Sequence, residues 1–133
     1  MSSLSLICTA ETHFSCAHFY EQKAWTTERN QQEFGKCFSK YGHGHNYRLQ
    51  VSAVCELAKM AEVRTTLRTQ LQVIREELDH KHLNFDVGYF GQHIPTCENI
   101  AGYLQLRFKQ LRLSWSEIRL YETPEIFVRV LVA

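Results

Sequence analysis

Three histidines in the first third of the chain have the spacing of a metal site. His43 and His45 are separated only by Gly44, and residues two apart in an extended strand point to the same side, so both imidazoles can reach one ion. His18, at the end of the first predicted strand, could supply the third ligand of a catalytic zinc if the two strands are neighbours. The alternative is a set of ordinary loop histidines, which the spacing alone does not exclude.

Cys37 lies six residues before His43 and directly after Lys36. A thiol close to a metal and a cation has a lowered pKa and could act as a nucleophile or general base. The alternative is a small buried hydrophobe, which is our interpretation of Cys8 and Cys55. An odd total of five cysteines without a CxxC pair favours a reducing compartment and at least one free thiol.

Three acidic positions could also carry chemistry. Asp79 stands beside His80, where a carboxylate could orient an imidazole or share a proton relay with it, although a plain helix cap is the alternative. Glu98 lies where a helix is predicted to begin, a place that favours acids in any case. Glu122 ends a predicted strand and could accept two hydrogen bonds from a planar donor. From spacing alone, a solvated charge is the favoured interpretation of Glu98 and Glu122.

Hydrophobic periodicity predicts the elements that must position these residues. Alternation predicts strands from Leu4 to His18 and over 45–56, 117–121 and 125–132, with loops over 19–42 and 79–97. Two stripes at spacings of three and four residues predict amphipathic helices, namely Val63, Leu67, Leu71, Ile74 and Leu78, then Ile100, Leu104, Phe108 and Leu111. This order predicts an α+β sandwich in which two helices cover one sheet face. The apolar final strand is the best candidate for pairing between subunits.

Size and charge narrow the function classes. The chain has 133 residues and a formal net charge of +1, which fits a single domain over 1–133 and argues against binding nucleic acid or an anionic membrane. No apolar run approaches the ~20 residues that span a bilayer, and the first ten residues do not resemble a signal peptide. We therefore expect a cytoplasmic protein.

Six segments, in order along most of the chain, resemble the 6-pyruvoyltetrahydropterin synthase family, which includes the 6-carboxytetrahydropterin synthases of queuosine biosynthesis. They are Phe14-Ser15-Cys16-Ala17-His18, Phe34-Gly35-Lys36-Cys37, Gly42-His43-Gly44-His45-Asn46-Tyr47, Leu78-Asp79-His80-Lys81-His82-Leu83, Pro95-Thr96-Cys97-Glu98-Asn99 and Tyr121-Glu122-Thr123. The resemblance implies a T-fold, an antiparallel four-stranded sheet with two helices on one face. It also implies that three subunits form a barrel, that two trimers stack into a homohexamer, and that active sites lie between subunits.

The resemblance further implies a role for each candidate residue. Zinc would be held by His18, His43 and His45. Cys37 would be the general base, served by a relay of Asp79 and His80. Glu122 would anchor the pterin ring, and Thr96 and Glu98 would line the same pocket.

The substrate implied by the resemblance is 7,8-dihydroneopterin triphosphate, converted to 6-pyruvoyltetrahydropterin with loss of triphosphate. Two alternatives stay open: a 6-carboxytetrahydropterin synthase that releases acetaldehyde from the same substrate, and a zinc-containing pterin binder without catalysis. The chain departs from the family pattern over 56–63, where we expect a helix that begins early, and at Cys97, where Thr or Ser is usual.

Overall fold

The computed structural model describes residues 4–132 and follows the predicted order, with additions. Its elements are β1 (Ser5–His18), α1 (Thr27–Phe34), β2 (His43–Glu56), α2 (Met60–Leu78), β3 (Lys81–His82), α3 (Leu83–Asp86), α4 (Cys97–Gln110), β4 (Glu117–Tyr121) and β5 (Phe127–Leu131). Short 3-10 turns occupy 35–37, 57–59 and 88–91. Among residues 4–132, no helix is long and apolar enough to cross a bilayer.

The strands form one sheet in the order β3-β1-β2-β4-β5. β1 and β2 pair antiparallel over their full length, from Ser5 opposite Glu56 to His18 opposite His43. β4 and β5 continue the antiparallel pairing, so the predicted four-stranded sheet is confirmed. The structure adds β3 at the edge, whose two residues run parallel to β1.

The core lies between one face of this sheet and the helices α2 and α4. The predicted helical stripes are buried there, including Leu67, Ile74 and Leu104, each without exposed surface. Burying a side chain of this size contributes about 2 kcal/mol relative to leaving it in water. Alternate residues of β1 and β2 meet these helices, whereas the residues between them, such as Glu11 and Gln50, form a mostly polar second face.

The segment 19–42 is not only a loop as predicted, because it contains α1. Thr26 caps this helix by accepting the N–H of Arg29. The helix carries hardly any apolar residue, so the sequence showed no hydrophobic stripe. It is held instead by the buried amide of Asn30, which accepts the N–H of Gln22 and donates to the Gln22 carbonyl.

Two connections next to the helices also differ in detail from the predicted loops. The segment 79–97 contains β3, α3 and a 3-10 turn. The unusual 56–63 connection is a 3-10 turn over 57–59 that runs directly into α2 at Met60, which confirms the early start. The last strand begins at Phe127 rather than residue 125, because Glu122 and Thr123 donate to the Ile126 carbonyl and close the turn before it.

Candidate metal centre and active site

The pairing of β1 with β2 brings the three predicted histidines together. His18 lies opposite His43 in the register, and His45 projects from the same face two residues further along β2. The Nε2 atoms of His18 and His43 are 3.2 Å apart, and one ligand atom from each of the three residues lies within 4.8 Å of the others. The two strands are therefore neighbours, which was the condition for His18 to supply the third ligand.

Gly42 allows this convergence. Its φ of +82° lies in the left-handed region, and an added Cβ would stand 2.3 Å from the carbonyl oxygen of His18. A side chain at this position would push the start of β2 away from the end of β1. The glycine before His43 therefore helps to fix the separation of the imidazoles.

Burial favours the neutral imidazoles of His18 and His43, which can donate a lone pair. His18 is only 1% exposed, and burial, followed by the proximity of His43 and His45, lowers the pKa of His18 to about 3. Burial also lowers the pKa of His43. Three imidazole nitrogens within reach of one point are a ligand set that suits zinc and other borderline divalent ions, so the residues present fit the expected metal.

Tyr47, to which the sequence analysis gave no role in the site, belongs to this centre. Its Oη lies 3.2 Å from Nδ1 of His18. Tyr47 follows His45 by two residues on the same face of β2, so the strand period that joins His43 and His45 could have identified it. Burial raises the pKa of the Tyr47 hydroxyl, and negative neighbours add to this.

Glu122 reaches the metal centre from the end of β4. Its Oε1 lies 3.4 Å from Nε2 of His45, and its side chain is 13% exposed. The carboxylate also influences Cys97, since burial, then Glu122 and Glu98, raise the pKa of that thiol to about 12. Cys97 is buried and donates to the Leu120 carbonyl, so the residue that replaces Thr or Ser still makes a hydrogen bond.

Cys37 is held beside the end of β1 by its backbone. Its carbonyl accepts the N–H of Tyr20 at 2.8 Å, and the Tyr20 ring lies 5.1 Å from the His18 ring. Burial, and next the charge of Glu122, raises the pKa of Cys37. In the metal-free chain the pKa is raised rather than lowered, because burial and the charge of Glu122 both disfavour the thiolate. Tyr20 is a second neighbour that sequence analysis missed, since nothing in its spacing linked it to Cys37.

Asp79 and His80 form a pair as their sequence suggested. Asp79 Oδ2 lies 3.0 Å from His80 Nδ1, and its Oδ1 accepts the N–H of Ser15, which is the largest contribution to the lowered pKa of this carboxyl. The His80 imidazole is 85% exposed beside an open cleft of about 530 Å³. Among the hydrogen bonds of residues 4–132, none joins this pair to Cys37.

Thr96 and Glu98 stand at the start of α4. The Thr96 hydroxyl caps that helix by accepting the N–H of Asn99, and Glu98 is an exposed residue of the first turn. The hydrogen bonds described for 4–132 link neither side chain to the histidines or to Glu122. The capping hydrogen bond is enough to account for a threonine at this position, with no need for a bound ligand.

A cluster of three histidines with the Glu122 carboxylate beside it, at the end of a sheet backed by helices, defines an α+β protein with a candidate metal site. Residues 7–131 match the sequence model of the 6-pyruvoyl tetrahydropterin synthase family, and this chain belongs to that family. The 6-pyruvoyl tetrahydrobiopterin synthase of Poecilia reticulata is 36% identical over 121 residues, which is 86% of this chain and 82% of the relative. The protein of that name from Homo sapiens is 35% identical over 98 residues, or 68% and 66% of the two chains.

Solved structures agree with the fold. The structure of Caenorhabditis elegans 6-pyruvoyl tetrahydropterin synthase superposes with a TM-score of 0.85 over 100% of both chains, at 23% identity. That of the Plasmodium falciparum protein gives 0.62, over 97% of this chain and 98% of the other, at 18% identity. The T-fold expected from the sequence is confirmed.

Proposed function

We propose that this protein is a zinc-dependent lyase that converts 7,8-dihydroneopterin triphosphate to 6-pyruvoyltetrahydropterin with loss of triphosphate. The observation that carries the proposal is the convergence of His18, His43 and His45 next to Glu122, whose charge also acts on the Cys37 thiol, in a chain of this family. When bound by these imidazoles, zinc supplies Lewis-acid polarisation of the side-chain oxygens of the substrate.

Glu122 is our candidate for the group that binds the pterin ring. A carboxylate can accept two parallel N–H bonds from the amino-pyrimidine edge of such a ring. Its low exposure supports this role, because a partly desolvated charge makes stronger hydrogen bonds than one in water. Thr96 and Glu98, at the start of α4, are proposed to line the same pocket.

Cys37 is our candidate for the general base that removes a proton from the substrate side chain. Its raised pKa means that the resting thiol is protonated, so its own proton must first move to another group. The Asp79–His80 pair can take that role, since the carboxylate orients the imidazole. The redox change is internal to the substrate, so no external hydride donor is needed.

We further propose that one T-fold domain forms over 1–133 and that the chain assembles into a homohexamer of two trimers with active sites between subunits. The exposed His80, not hydrogen-bonded to Cys37 within residues 4–132, supports a shared site. The five cysteines, all within the described residues, are unpaired, which supports a reducing compartment such as the cytoplasm.

The test is incubation of the zinc-loaded protein with 7,8-dihydroneopterin triphosphate, followed by mass spectrometry of all products. We expect 6-pyruvoyltetrahydropterin and triphosphate. Release of acetaldehyde with 6-carboxytetrahydropterin would instead assign the queuosine reaction. Tight pterin binding without turnover would overturn the enzyme assignment and leave a binding protein.

A matched pair of variants completes the test. Cys37→Ser should abolish turnover but retain pterin binding. Cys55→Ser, the same change at the far end of β2, should retain both.

A further inference from the structure

The two ring nitrogens of His18 face different partners. Nε2 points to the histidine cluster, 3.2 Å from Nε2 of His43. Nδ1 points the other way, 3.2 Å from Oη of Tyr47. Both residues are buried, with 1% of His18 and none of Tyr47 exposed, so bulk water cannot replace either partner.

We propose that Tyr47 is a positioning residue of the metal centre: its hydroxyl oxygen accepts the Nδ1–H of His18 and so keeps the Nε2 lone pair directed at the metal. This inference rests on the proposed metal site. A histidine that binds a metal through one nitrogen carries its proton on the other, and the acceptor of that proton fixes both the tautomer and the ring orientation.

The surroundings of Tyr47 make its hydroxyl a well-placed acceptor. Its ring stacks on Phe14 across the β1–β2 pair, with centroids 5.1 Å apart and planes 14° from parallel. Strand pairing and stacking fix the phenol before any metal binds, leaving only the hydroxyl hydrogen free to turn. Little conformational freedom is lost when the hydrogen bond forms.

The Tyr47 hydroxyl can hydrogen-bond to His18 in both the metal-free and the metal-bound protein. It can donate to Nδ1 when that nitrogen is unprotonated, and it can accept when the proton moves there on metal binding. Phenylalanine at this position would keep the stacking and the volume but leave a buried N–H without an acceptor in the loaded protein. The change therefore penalises the metal-bound state in particular.

The experiment measures zinc affinity of the full-length metal-free protein by competition with a chromophoric chelator. We expect Tyr47→Phe to weaken zinc binding by about 10- to 100-fold, the usual effect of removing such a partner. The matched control is Tyr103→Phe. Tyr103 is also buried, and its hydroxyl donates to Glu77 at 2.7 Å, so this variant should lose stability but bind zinc like the wild type.

A second readout separates positioning from general loosening of the structure. In nitrogen-15 NMR of the zinc-loaded protein, the Nδ1–H of His18 should be protected from exchange, and in Tyr47→Phe it should exchange faster and shift. Equal zinc affinity in Tyr47→Phe and wild type would overturn the inference, and so would an equal loss of affinity in Tyr103→Phe. Failure of the wild type to bind zinc would instead refute the proposed function, so the two failures are distinguishable.

Discussion

At the scale of single residues, one carboxylate influences both the metal centre and the thiol. Glu122 lies 3.4 Å from His45 and is the second cause, after burial, of the raised pKa of Cys37. The same charge that suits a pterin ring therefore adds to the effect of burial in favouring the protonated form of the proposed base. A substrate that donates two N–H bonds to Glu122 would weaken the effect of this charge on the thiol and so favour the thiolate, which links recognition of the ring to activation of Cys37.

This reasoning predicts the effect of Glu122→Gln on the thiol. Removal of the negative charge should lower the pKa of Cys37, because the thiolate no longer faces a like charge, although burial still keeps the pKa above its ordinary value. The rate of alkylation of Cys37 by iodoacetamide, measured against pH in the metal-free protein, should therefore show its midpoint at lower pH than in the wild type.

Glu125→Gln is the control, since this residue is exposed in the turn after Glu122 and should leave the midpoint unchanged. An unchanged midpoint in Glu122→Gln would show that burial alone sets the pKa of Cys37. The other cysteines are replaced by serine or identified by peptide mapping, so that the measured rate belongs to Cys37.

Part of this site could be predicted from the sequence, because its residues follow the two-residue period of a strand. A period of two joined His43 to His45, and it needed only the strand pairing to add His18. The period of two could not identify Tyr20 as a neighbour of Cys37. The backbone hydrogen bond from Tyr20 to Cys37 joins two residues outside the strands, on either side of α1. Hydrophobic periodicity does not indicate which residues of a connecting segment are hydrogen-bonded to each other.

At the scale of elements, the helices α2 and α4 are joined across their polar edge by one ion pair. Glu77 of α2 accepts from the guanidinium of Arg107 on α4 through both carboxylate oxygens, and also from the hydroxyl of Tyr103. Partial burial raises the pKa of Glu77, but these donors outweigh it and the net pKa is lowered. The two side chains are 27% and 24% exposed, so solvent screens the pair only in part.

We predict that Glu77→Gln lowers the free energy of unfolding at pH 7 by about 1–2 kcal/mol, since a charge-assisted hydrogen bond is replaced by a neutral one. The folded pKa lies below the ordinary value of 4.5, so the unfolded chain binds the proton more readily. This contribution is present above pH 4.5 and is lost as the pH falls through the folded pKa.

Urea unfolding of the wild type and Glu77→Gln at neutral and acidic pH checks the prediction, and the difference between them should shrink in acid. Glu76→Gln is the matched control, because Glu76 is the exposed neighbour on the same helix. A difference that stays constant with pH would show that the charge of Glu77 does not contribute.

Elements were predictable from sequence wherever an apolar face is buried. The stripes of α2 and α4 and the alternation of β1 and β2 follow directly from packing against one core. α1 was missed because polar hydrogen bonds from Asn30, rather than apolar burial, hold it to the chain before it. β3 was missed because two residues are too few to show any period.

At the scale of the whole molecule, the proposed thiol and its relay face different surroundings. Cys37 is half-buried near Tyr20 and Glu122. The His80 imidazole, by contrast, projects beside the open cleft whose walls include Ser15 and Asn46. β5, with Leu131 61% exposed, leaves an apolar strand at the edge of the sheet that a second subunit can extend. The alternation over 125–132 predicted this apolar edge strand from the sequence.

A subunit-mixing experiment decides whether the site is shared. Cys37→Ala and His80→Ala should each be inactive alone. If Cys37 of one subunit works with His80 of another, mixed oligomers contain some interfaces in which both residues are intact, so refolding the two variants together should restore part of the activity.

The control mixture combines His80→Ala with Asp79→Asn. Both changes affect the same pair, so no subunit carries an intact relay and the mixture should stay inactive. Native mass spectrometry must show that mixed oligomers form in both cases. Mixed oligomers of Cys37→Ala and His80→Ala without activity would mean that thiol and relay act within one chain, which would require His80 to move from its exposed position toward Cys37 when substrate binds.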